Sequence, residues 1–409
     1  MDLAALKDRL RAEVEQRAEA LLDASHAIHE HPQVNYEEHH AHDLLTEVLE
    51  REGLAVERHA FGVETAFAAR AGSSGPTIAV LLEYDALPGL GHACGHNIIA
   101  TAGLGAGLAA AALAEEVGAQ VVVLGTPAEE GGGGKILMAR EGAFDGVDAA
   151  MMVHPAGDDL ARMDVIAVQE LIATCAGQAA HAAAFPHEGR NALDAAVLGY
   201  VNVAALRQHI LPTERIHGVF LEAGEKPNIV PARSVTEWMV RSGSITTLQP
   251  LKERVAACLR AGAEAAGCEI DIAWKQVVYA DMLDNEAMVA AYAANVAALG
   301  RPVTEPSPGQ RVVGSTDMGN VSYLVPSIHP MIAAAPAGTP IHTPEFATAA
   351  RSASGDRAVL DGAVAMAWTV ADLWCGDGVL EAVRAEFEAT IDRVGPEAQR
   401  SAIAPVGVA

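Results

Sequence analysis

The chain has 409 residues, of which 27 are Lys or Arg and 53 are Asp or Glu, so its formal net charge is −26. This length exceeds one ordinary hydrophobic core and predicts at least two domains. Apolar residues make up 51% of the chain, which excludes global disorder. The strong negative charge repels phosphate groups, so neither nucleic acid nor an anionic membrane is expected as a partner.

Cysteine content and the first residues bear on the cellular compartment. Five cysteines are an odd number and too few for a disulfide scaffold of this length. The first ten residues lack the basic and then apolar pattern of a signal peptide and instead predict an amphipathic helix. The longest apolar run, residues 98–113, is short and interrupted by glycines, so no membrane span is expected. These features together favour a cytoplasmic protein.

Hydrophobic periodicity predicts the elements of the first part of the chain. Residues 1–52 show helical spacing and predict two helices that break near Pro32. Strands and helices then alternate: strands at 65–71, 77–82, 120–124 and 149–153, and helices from about Asn97 and at 135–141. The strand at 77–82 is nearly all apolar, as buried parallel strands are. This alternation predicts an α/β fold with a mixed, largely parallel sheet flanked by helices.

The middle of the chain follows a different order of elements. Strands at 165–176, 217–223, 233–242 and 269–278 and helices at 191–210 and 248–266 form the order β-α-β-β-α-β. This order is typical of a ferredoxin-like α+β unit. After it, the alternation of helix and strand resumes and ends in two helices. We therefore predict a discontinuous domain of residues 1–164 and 282–409, with an inserted domain of residues 165–281.

Candidate metal ligands follow the predicted strands of the first domain. The segment 83–97 reads E-Y-D-A-L-P-G-L-G-H-A-C-G-H-N and places Cys94 and His96 on one glycine-containing loop. Sites in α/β folds lie at the ends of strands, and thiolate and imidazole suit zinc and other first-row divalent metals. Taken alone, the pair is explained equally well as a buried cysteine beside a capping histidine.

Further candidates lie at Glu129, Glu130, His154 and His342. On a loop, one of two adjacent carboxylates can bind a metal while the other serves as a general base, although adjacent glutamates are more often a solvated surface pair. Four glycines follow Glu130, but Glu129 and Ile136 occupy positions where a phosphate-binding P-loop needs Gly and Ser or Thr. A phosphate site is therefore excluded there.

Three residues of the inserted domain are candidates for contact with a substrate. His181 lies among small residues before a predicted turn, and Asn228 lies in K-P-N-I-V-P. Arg241, at the end of a predicted strand, could recognise a carboxylate. Each of them alone is explained as readily by an ordinary surface or turn position.

Taken together and in this order, the motifs resemble the M20 metallopeptidases and amidohydrolases over nearly the whole chain. The segment 83–97 is similar to the amidohydrolase branch, which carries His-Ala-Cys-Gly-His. The segment G-S-T-D-M-G-N-V-S-Y, from Gly314 to Tyr323, further resembles the subgroup of aminoacylase-1-like protein 2 and aminobenzoyl-glutamate hydrolase. The resemblance implies a zinc-exopeptidase-like fold in which the inserted domain is a lid and forms the interface of a homodimer.

The resemblance also implies two divalent metal ions per subunit, usually zinc and sometimes manganese or cobalt. Cys94 would take the place of an aspartate that bridges the two ions in many relatives. Glu130 and His342 would complete one metal site, and His96 and His154 the other.

Catalytic and substrate-binding roles are implied in the same way. Glu129 would be the general base, Asp85 would orient a metal ligand from behind, and His181 would stabilise the oxyanion. Asn228 and Arg241 would hold the carboxylate or carbonyl group of the substrate. The implied reaction is hydrolysis of the amide bond of a small N-acyl amino acid or dipeptide-like substrate by a water that two metal ions activate. A strict dipeptidase for β-alanyl-type dipeptides is the alternative.

Two positions depart from the family pattern. Glu83 stands where peptidase branches have a metal-binding histidine, and His96 is expected to substitute for it. Asn97 stands where many amidohydrolases of this branch have Asp. Two other classes also stay open: a cysteine hydrolase that uses Cys94, which would leave the other candidate ligands without a role, and a non-catalytic binding protein on the same fold.

Overall fold

The computed structural model describes residues 2–304 and 313–404. The chain divides into two compact units. The first comprises the described residues of Met1–Asp164 and Met282–Gln399, and the second comprises Val165–Asp281 and the described residues from Arg400 onwards. The predicted domain boundaries place the residues after 399 in the first domain. In the structure the division falls inside the last helix, Pro396–Ile403, at a position that no sequence signal marks.

The described residues form helices and strands that we number in chain order. The helices are α1 (Leu3–Gln16), α2 (Ala18–Glu30), α3 (His39–Arg51), α4 (His96–Val117), α5 (Gly134–Arg140), α6 (Ala192–Leu206), α7 (Ile245–Ala265), α8 (Glu286–Ala298), α9 (Met318–Val321), α10 (Pro344–Ala349), α11 (Ala353–Cys375), α12 (Val379–Val394) and α13 (Pro396–Ile403). The strands are β1 (Val56–Arg58), β2 (Phe67–Ala71), β3 (Thr77–Leu82), β4 (Gln120–Gly125), β5 (Ala149–Met151), β6 (His154–Ala156), β7 (Asp164–Val165), β8 (Ala167–Ala176), β9 (Arg215–Glu222), β10 (Arg233–Ser242), β11 (Glu269–Trp274), β12 (Val313–Gly314), β13 (Ser327–Ile328) and β14 (Met331–Ala333).

The first unit is built on a six-stranded sheet with the order β1-β2-β4-β3-β5-β13. The four strands β4, β3, β5 and β13 run parallel to one another, whereas β1 and β2 add an antiparallel edge. All six residues of β3 are buried, as expected for a central strand that helices cover on both faces. The predicted α/β fold with a mixed, largely parallel sheet is confirmed.

Helix α4 packs closely against this sheet because of its glycines. A Cβ atom on Gly103 would lie 2.8 Å from Leu82 Cδ1, and one on Gly107 would lie 2.4 Å from Val123 Cγ2. By length and composition alone, α4 and α11 could each cross a membrane. Both helices bury most of their residues inside the protein, which is the pattern of core helices. The apolar stretch in α4 is longer than the run 98–113 that the sequence analysis considered.

The second unit contains a four-stranded antiparallel sheet with the order β11-β8-β10-β9. Helices α6 and α7 complete the order β-α-β-β-α-β, so this unit is ferredoxin-like, as predicted. The observed β10 has the predicted bounds, 233–242. Its neighbour β9 lies at one edge of the sheet and exposes most of its side chains.

The N-terminal region differs from the prediction of two helices. It contains α1, α2 and α3, because a break at Arg17 separates α1 from α2. Arg17 has φ −99° and ψ 5°, and neither proline nor glycine is present there to mark the break. Likewise, four helices rather than two follow Pro344 among the described residues.

Candidate metal centre

The candidate site lies where the four parallel strands of the first unit end. Glu83 and Asp85 follow β3, Glu129 and Glu130 follow β4, and His154 follows β5. Because parallel strands present their carboxyl ends at one edge of the sheet, residues that are far apart in sequence meet there.

Cys94 and His96 reach the site from the loop that leads into α4. Gly95 between them has φ +74°, and a Cβ atom there would lie 2.6 Å from Pro155 Cγ, so only glycine fits this turn. The backbone N–H of His342 donates to the carbonyl of Ala93 over 2.8 Å. This bond brings the distant His342 next to the cysteine loop.

Two sets of possible ligands share the Cys94 sulfur. One set is Cys94, His96 and His154, and the other is Cys94, Glu130 and His342; within each set the ligand atoms lie within 4.8 Å of one another. Cys94 Sγ is 3.4 Å from His154 Nε2, and His342 Nε2 is 3.3 Å from Glu130 Oε1. The five ligands implied by the resemblance are thus together in the structure, with Cys94 in the shared position.

The two buried imidazoles are held from behind. His96 Nδ1 lies 3.0 Å from Asp85 Oδ1, and Asp85 Oδ2 accepts a hydrogen bond of 3.0 Å from the Glu130 backbone N–H. His154 Nδ1 donates to the carbonyl of Pro155 over 2.8 Å. These bonds leave Nε2 of each ring facing the centre, as is typical of metal-binding histidines.

Buried carboxyl groups outnumber the cationic groups of the site, Lys135 and His96. Five carboxyl groups (Glu83, Asp85, Glu129, Glu130 and Asp317) are buried or nearly so, and the one ammonium group among them belongs to Lys135. Buried charges of one sign are costly unless they are compensated. Two divalent cations would compensate this excess, so the donor set fits a dinuclear centre.

The pKa values of the site also fit a centre that binds cations. Burial, together with the negative charge of Glu130, raises the pKa of the Cys94 thiol well above its ordinary value, and a bound cation would reverse this effect. Burial and the charge of His96 lower the pKa of His154 to about 3, so its ring is neutral and able to bind a metal at physiological pH. Burial opposes ionisation of Asp85, but His96 overcomes this and lowers the pKa of Asp85.

Glu129 lies beside these ligands but belongs to neither of the two sets. Its Oε2 is 4.0 Å from His96 Nε2, and only about a tenth of its side chain is exposed. Burial and the negative charges of Glu83 and Glu130 raise the pKa of Glu129 well above its ordinary value. A carboxyl group in such a position can accept and return a proton near neutral pH.

A buried ionic cluster, which the sequence analysis did not predict, supports the site from below. Lys135 Nζ donates to Glu83 Oε1 over 2.5 Å and to Asp317 Oδ1 over 2.6 Å. The Lys135 backbone N–H donates to the other oxygen of Asp317 over 2.9 Å. All three side chains are fully buried. Asp317 lies in the G-S-T-D motif, which is the one sequence signal that could have indicated this cluster.

Another residue without a predicted role, Glu38, supports the loop that carries Glu129. Glu38 is completely buried; its Oε1 accepts from the Ala128 backbone N–H over 2.9 Å and its Oε2 from Thr65 Oγ1 over 2.8 Å. Ala128 has φ +60°, an unfavourable value for a residue with a side chain. Glu38 therefore stabilises a strained turn directly before Glu129. His329, which follows β13, also had no predicted role. Its ring packs edge-on against the ring of His154, with 5.4 Å between the ring centroids.

The remaining candidates, His181, Asn228 and Arg241, belong to the second unit. His181 and Asn228 lie on neighbouring segments, because the Ala182 N–H donates to the Asn228 carbonyl over 3.1 Å; both side chains are exposed. His181 Nδ1 accepts from the N–H groups of Ala183 and Ala184, which places its proton on Nε2. Arg241 lies in β10 and is half-buried. Their roles in catalysis stay predictions.

Comparisons with known proteins agree with this geometry. Residues 79–356 match the family model "Peptidase family M20/M25/M40". Xaa-Arg dipeptidase from Mus musculus is 41% identical over 95% of this chain and 93% of its own length. One subunit of the p-aminobenzoyl-glutamate hydrolase of Escherichia coli (strain K12) is 29% identical over 93% of this chain and 94% of its own length.

A solved structure shares the fold. The crystal structure of a Bacillus subtilis protein described as a dinuclear metal binding peptidase from the M20 family has a TM-score of 0.64 and 19% identity, and the match covers 85% of this chain and 98% of that one. The family match spans more than half of the chain, and the mouse relative matches it nearly end to end. The chain belongs to peptidase family M20/M25/M40 and is a metal-dependent hydrolase.

Proposed function

We propose that the protein hydrolyses the amide bond of a small dipeptide-like substrate with two divalent metal ions in its first unit. The observation that carries this proposal is the arrangement of two ligand sets around one shared sulfur, Cys94, with the carboxyl group of Glu129 beside them. A cysteine hydrolase that uses Cys94 with one neighbouring histidine would leave the other two histidines and both glutamates without a role. A non-catalytic relative would have no need to retain Glu129 beside the ligand sets.

The proposed ligands divide as the two sets do. Cys94, His96 and His154 would hold one ion, and Cys94, Glu130 and His342 the other. Bound ions of this kind supply Lewis acidity that polarises the scissile carbonyl group and acidifies the attacking water.

Glu129 is the proposed general base. Its raised pKa suits a group that takes a proton from the attacking water and delivers it to the leaving amine. Asp85 fixes the orientation of His96 and, through its second oxygen, the backbone of Glu130. His181, in the second unit, is the proposed donor, through Nε2–H, to the oxyanion that develops on the carbonyl. Asn228 and Arg241 are the proposed contacts to the substrate's carboxylate or carbonyl.

The relatives support a narrower choice of substrate. The mouse and human relatives, 41% and 39% identical, are named as Xaa-Arg dipeptidases, which favours a dipeptide over other N-acyl amino acids. A strict dipeptidase for β-alanyl-type dipeptides is included in this choice. Hydrolysis of aminobenzoyl-glutamate is the second candidate, because a relative with that name matches over 93% of the chain at lower identity.

The metal, the assembly and the compartment complete the proposal. Zinc is the proposed metal, because thiolate and imidazole ligands favour it, with manganese or cobalt as alternatives. A homodimer through the second unit is supported by the edge strand β9, whose Val219, Phe220 and Leu221 are 56%, 39% and 57% exposed, since exposed apolar edge strands favour pairing with another chain. A cytoplasmic location is supported by five free cysteines, of which Cys94 is needed as a thiolate.

The test is a substrate panel with the metal-loaded enzyme. Chelator-treated protein is reloaded with Zn²⁺, Mn²⁺ or Co²⁺ and offered dipeptides that end in Arg or Lys, β-alanyl dipeptides, N-acyl amino acids and aminobenzoyl-glutamate. We expect turnover of at least one dipeptide group, loss of this turnover after chelation and its recovery on reloading. Turnover that survives chelation but is abolished by alkylation of thiols would instead support a cysteine hydrolase. The absence of turnover on the whole panel with two ions bound would support a binding protein.

A further inference from the structure

Glu83 is held by one of its carboxylate oxygens and offers the other to the metal centre. Its Oε1 accepts from Lys135 Nζ over 2.5 Å. Its Oε2 is buried and has no hydrogen-bond partner among the residues that the structure describes. Because a buried carboxylate oxygen without a partner is costly, the position of Oε2 indicates that something outside the protein chain binds it.

The free oxygen of Glu83 faces a second atom that also has no partner. His96 Nε2 is buried and without a hydrogen-bond partner in the same described part of the chain, and it lies 3.7 Å from Glu83 Oε2. Glu83, His96 and Glu129 form a third set whose ligand atoms lie within 4.8 Å of one another. A cation with bonds of about 2.0–2.2 Å to oxygen and nitrogen fits between two such atoms.

The role of Lys135 is to fix Glu83 in this orientation. Lys135 is itself fully buried and is held by Asp317, which accepts from both the side chain and the backbone nitrogen of Lys135. The ammonium group therefore cannot move away from Glu83 to solvent. Its bond to Oε1 leaves only Oε2 free, so that Glu83 can bind a cation through one oxygen.

We propose that Glu83 is a further metal ligand, which binds through Oε2 the ion that His96 holds, and that Lys135 is the positioning residue for it. The inference rests on the proposed dinuclear function and adds a residue to it. It also gives a reason for a lysine beneath the centre, which would otherwise repel cations.

The test compares two substitutions that each remove one carboxylate charge from Lys135. Glu83→Gln removes the proposed ligand. Asp317→Asn is the matched control, because both oxygens of Asp317 are bonded to Lys135 and the asparagine oxygen can still accept from Lys135 Nζ. Chelator-treated wild type and both variants are titrated with Zn²⁺ by calorimetry, and their metal content after dialysis is measured by elemental analysis.

We expect the wild type to bind two ions and Glu83→Gln to bind one of them at least about tenfold more weakly. Asp317→Asn should retain the wild-type stoichiometry and lie within a few-fold of its affinities. In protein loaded with Co²⁺, the ligand-field absorption should change in Glu83→Gln and stay unchanged in Asp317→Asn. If Glu83→Gln does not fold, as judged by circular dichroism, Glu83→Asp replaces it. This change keeps a carboxylate beside Lys135 but shortens the side chain by one methylene, which withdraws the free oxygen.

The results separate the inference from the proposed function. Two ions bound by Glu83→Gln with wild-type affinity would refute the role of Glu83 and leave the dinuclear centre intact. An equal loss in Asp317→Asn would show that the charge around Lys135, rather than a direct bond from Glu83, controls the affinity, and would also refute it. A wild type that binds fewer than two ions would contradict the proposed function itself.

Discussion

Replacement of Glu38 by glutamine should remove a pH dependence from the stability of the protein. Glu38 is fully buried, and this burial, together with the negative charge of Asp85, raises its pKa from 4.5 to about 7. The folded protein therefore retains a proton on Glu38 that the unfolded chain has already released at pH 5 to 7. The stability that this proton provides is fully present below pH 4.5 and is lost as the pH rises to 7.

The size of the effect follows from the shift. A difference of about 2.5 units corresponds to about 3 kcal/mol at 1.36 kcal/mol per unit. The sequence pI of about 4.9 makes precipitation a concern near pH 5, so measurements start at pH 5.5, and about 2 kcal/mol of the effect lies between pH 5.5 and 8. For a unit of this size, this is a change of roughly 4 °C in melting temperature.

The assay is calorimetry on chelator-treated wild type and Glu38→Gln at several pH values. Glutamine keeps an oxygen for the Ala128 N–H but does not titrate, so the variant should gain roughly 4 °C relative to the wild type between pH 5.5 and 8. Its absolute stability also depends on contacts that the amide group alters, and for this reason the slope is the informative quantity. Glu37→Gln, at an exposed neighbouring position, is the control and should follow the wild type. Parallel curves for Glu38→Gln and wild type would refute the reasoning.

Three further substitutions test the site. Glu129→Gln should retain both metal ions by elemental analysis but lose turnover by about 10²–10⁴-fold, because it removes the base; wild-type turnover would exclude Glu129 from this role. His342→Ala should lower the metal content, whereas an unchanged stoichiometry would remove His342 from the ligands. Arg241→Ala should raise KM with little change in kcat if Arg241 binds the substrate's carboxylate. The control is Arg233→Ala, because Arg233 is an exposed arginine of the same strand and pairs with Glu222. Equal KM values for both variants would contradict the assignment.

Much of the fold could be predicted because its elements are local in origin. The strand β3 and the strand β10 have the predicted bounds, since runs of apolar or alternating residues define them without help from the rest of the chain. The break at Arg17 could not be predicted, because no residue there disfavours a helix. The observed ends of several elements differ from the predicted ends by a few residues, because tertiary contacts decide where a helix stops.

The candidate metal ligands could be named from sequence for a different reason. Cys94 and His96 share one loop, and the others follow strands, so their residue types and positions carry the signal. The cluster of Glu83, Lys135 and Asp317 offers a weaker signal, because only Asp317 lies in a recognisable motif and the hydrogen bonds join residues 52 and 182 positions apart. A lysine after a glycine run is expected at the surface, since lysine is almost never fully buried unless it is paired. Glu38 and Ala128, 90 positions apart, are hidden from sequence analysis in the same way.

One structural principle connects the residues that sequence revealed with those that it did not. His96 and His154 are each bound at Nδ1, and Glu83 is bound at Oε1, so that in all three a second polar atom remains and faces the centre. Because Nδ1 or Oε1 is fixed by a hydrogen bond, the Nε2 or Oε2 atom that faces the centre has little freedom to turn away. These side chains are therefore ordered when the protein folds rather than when a metal binds. The partners that provide this fixation are Asp85, the Pro155 carbonyl and Lys135. The free energy that keeps the candidate ligands ordered therefore comes from buried contacts with these partners. Substitution of Asp85 or Lys135 should alter metal binding although neither side chain touches an ion.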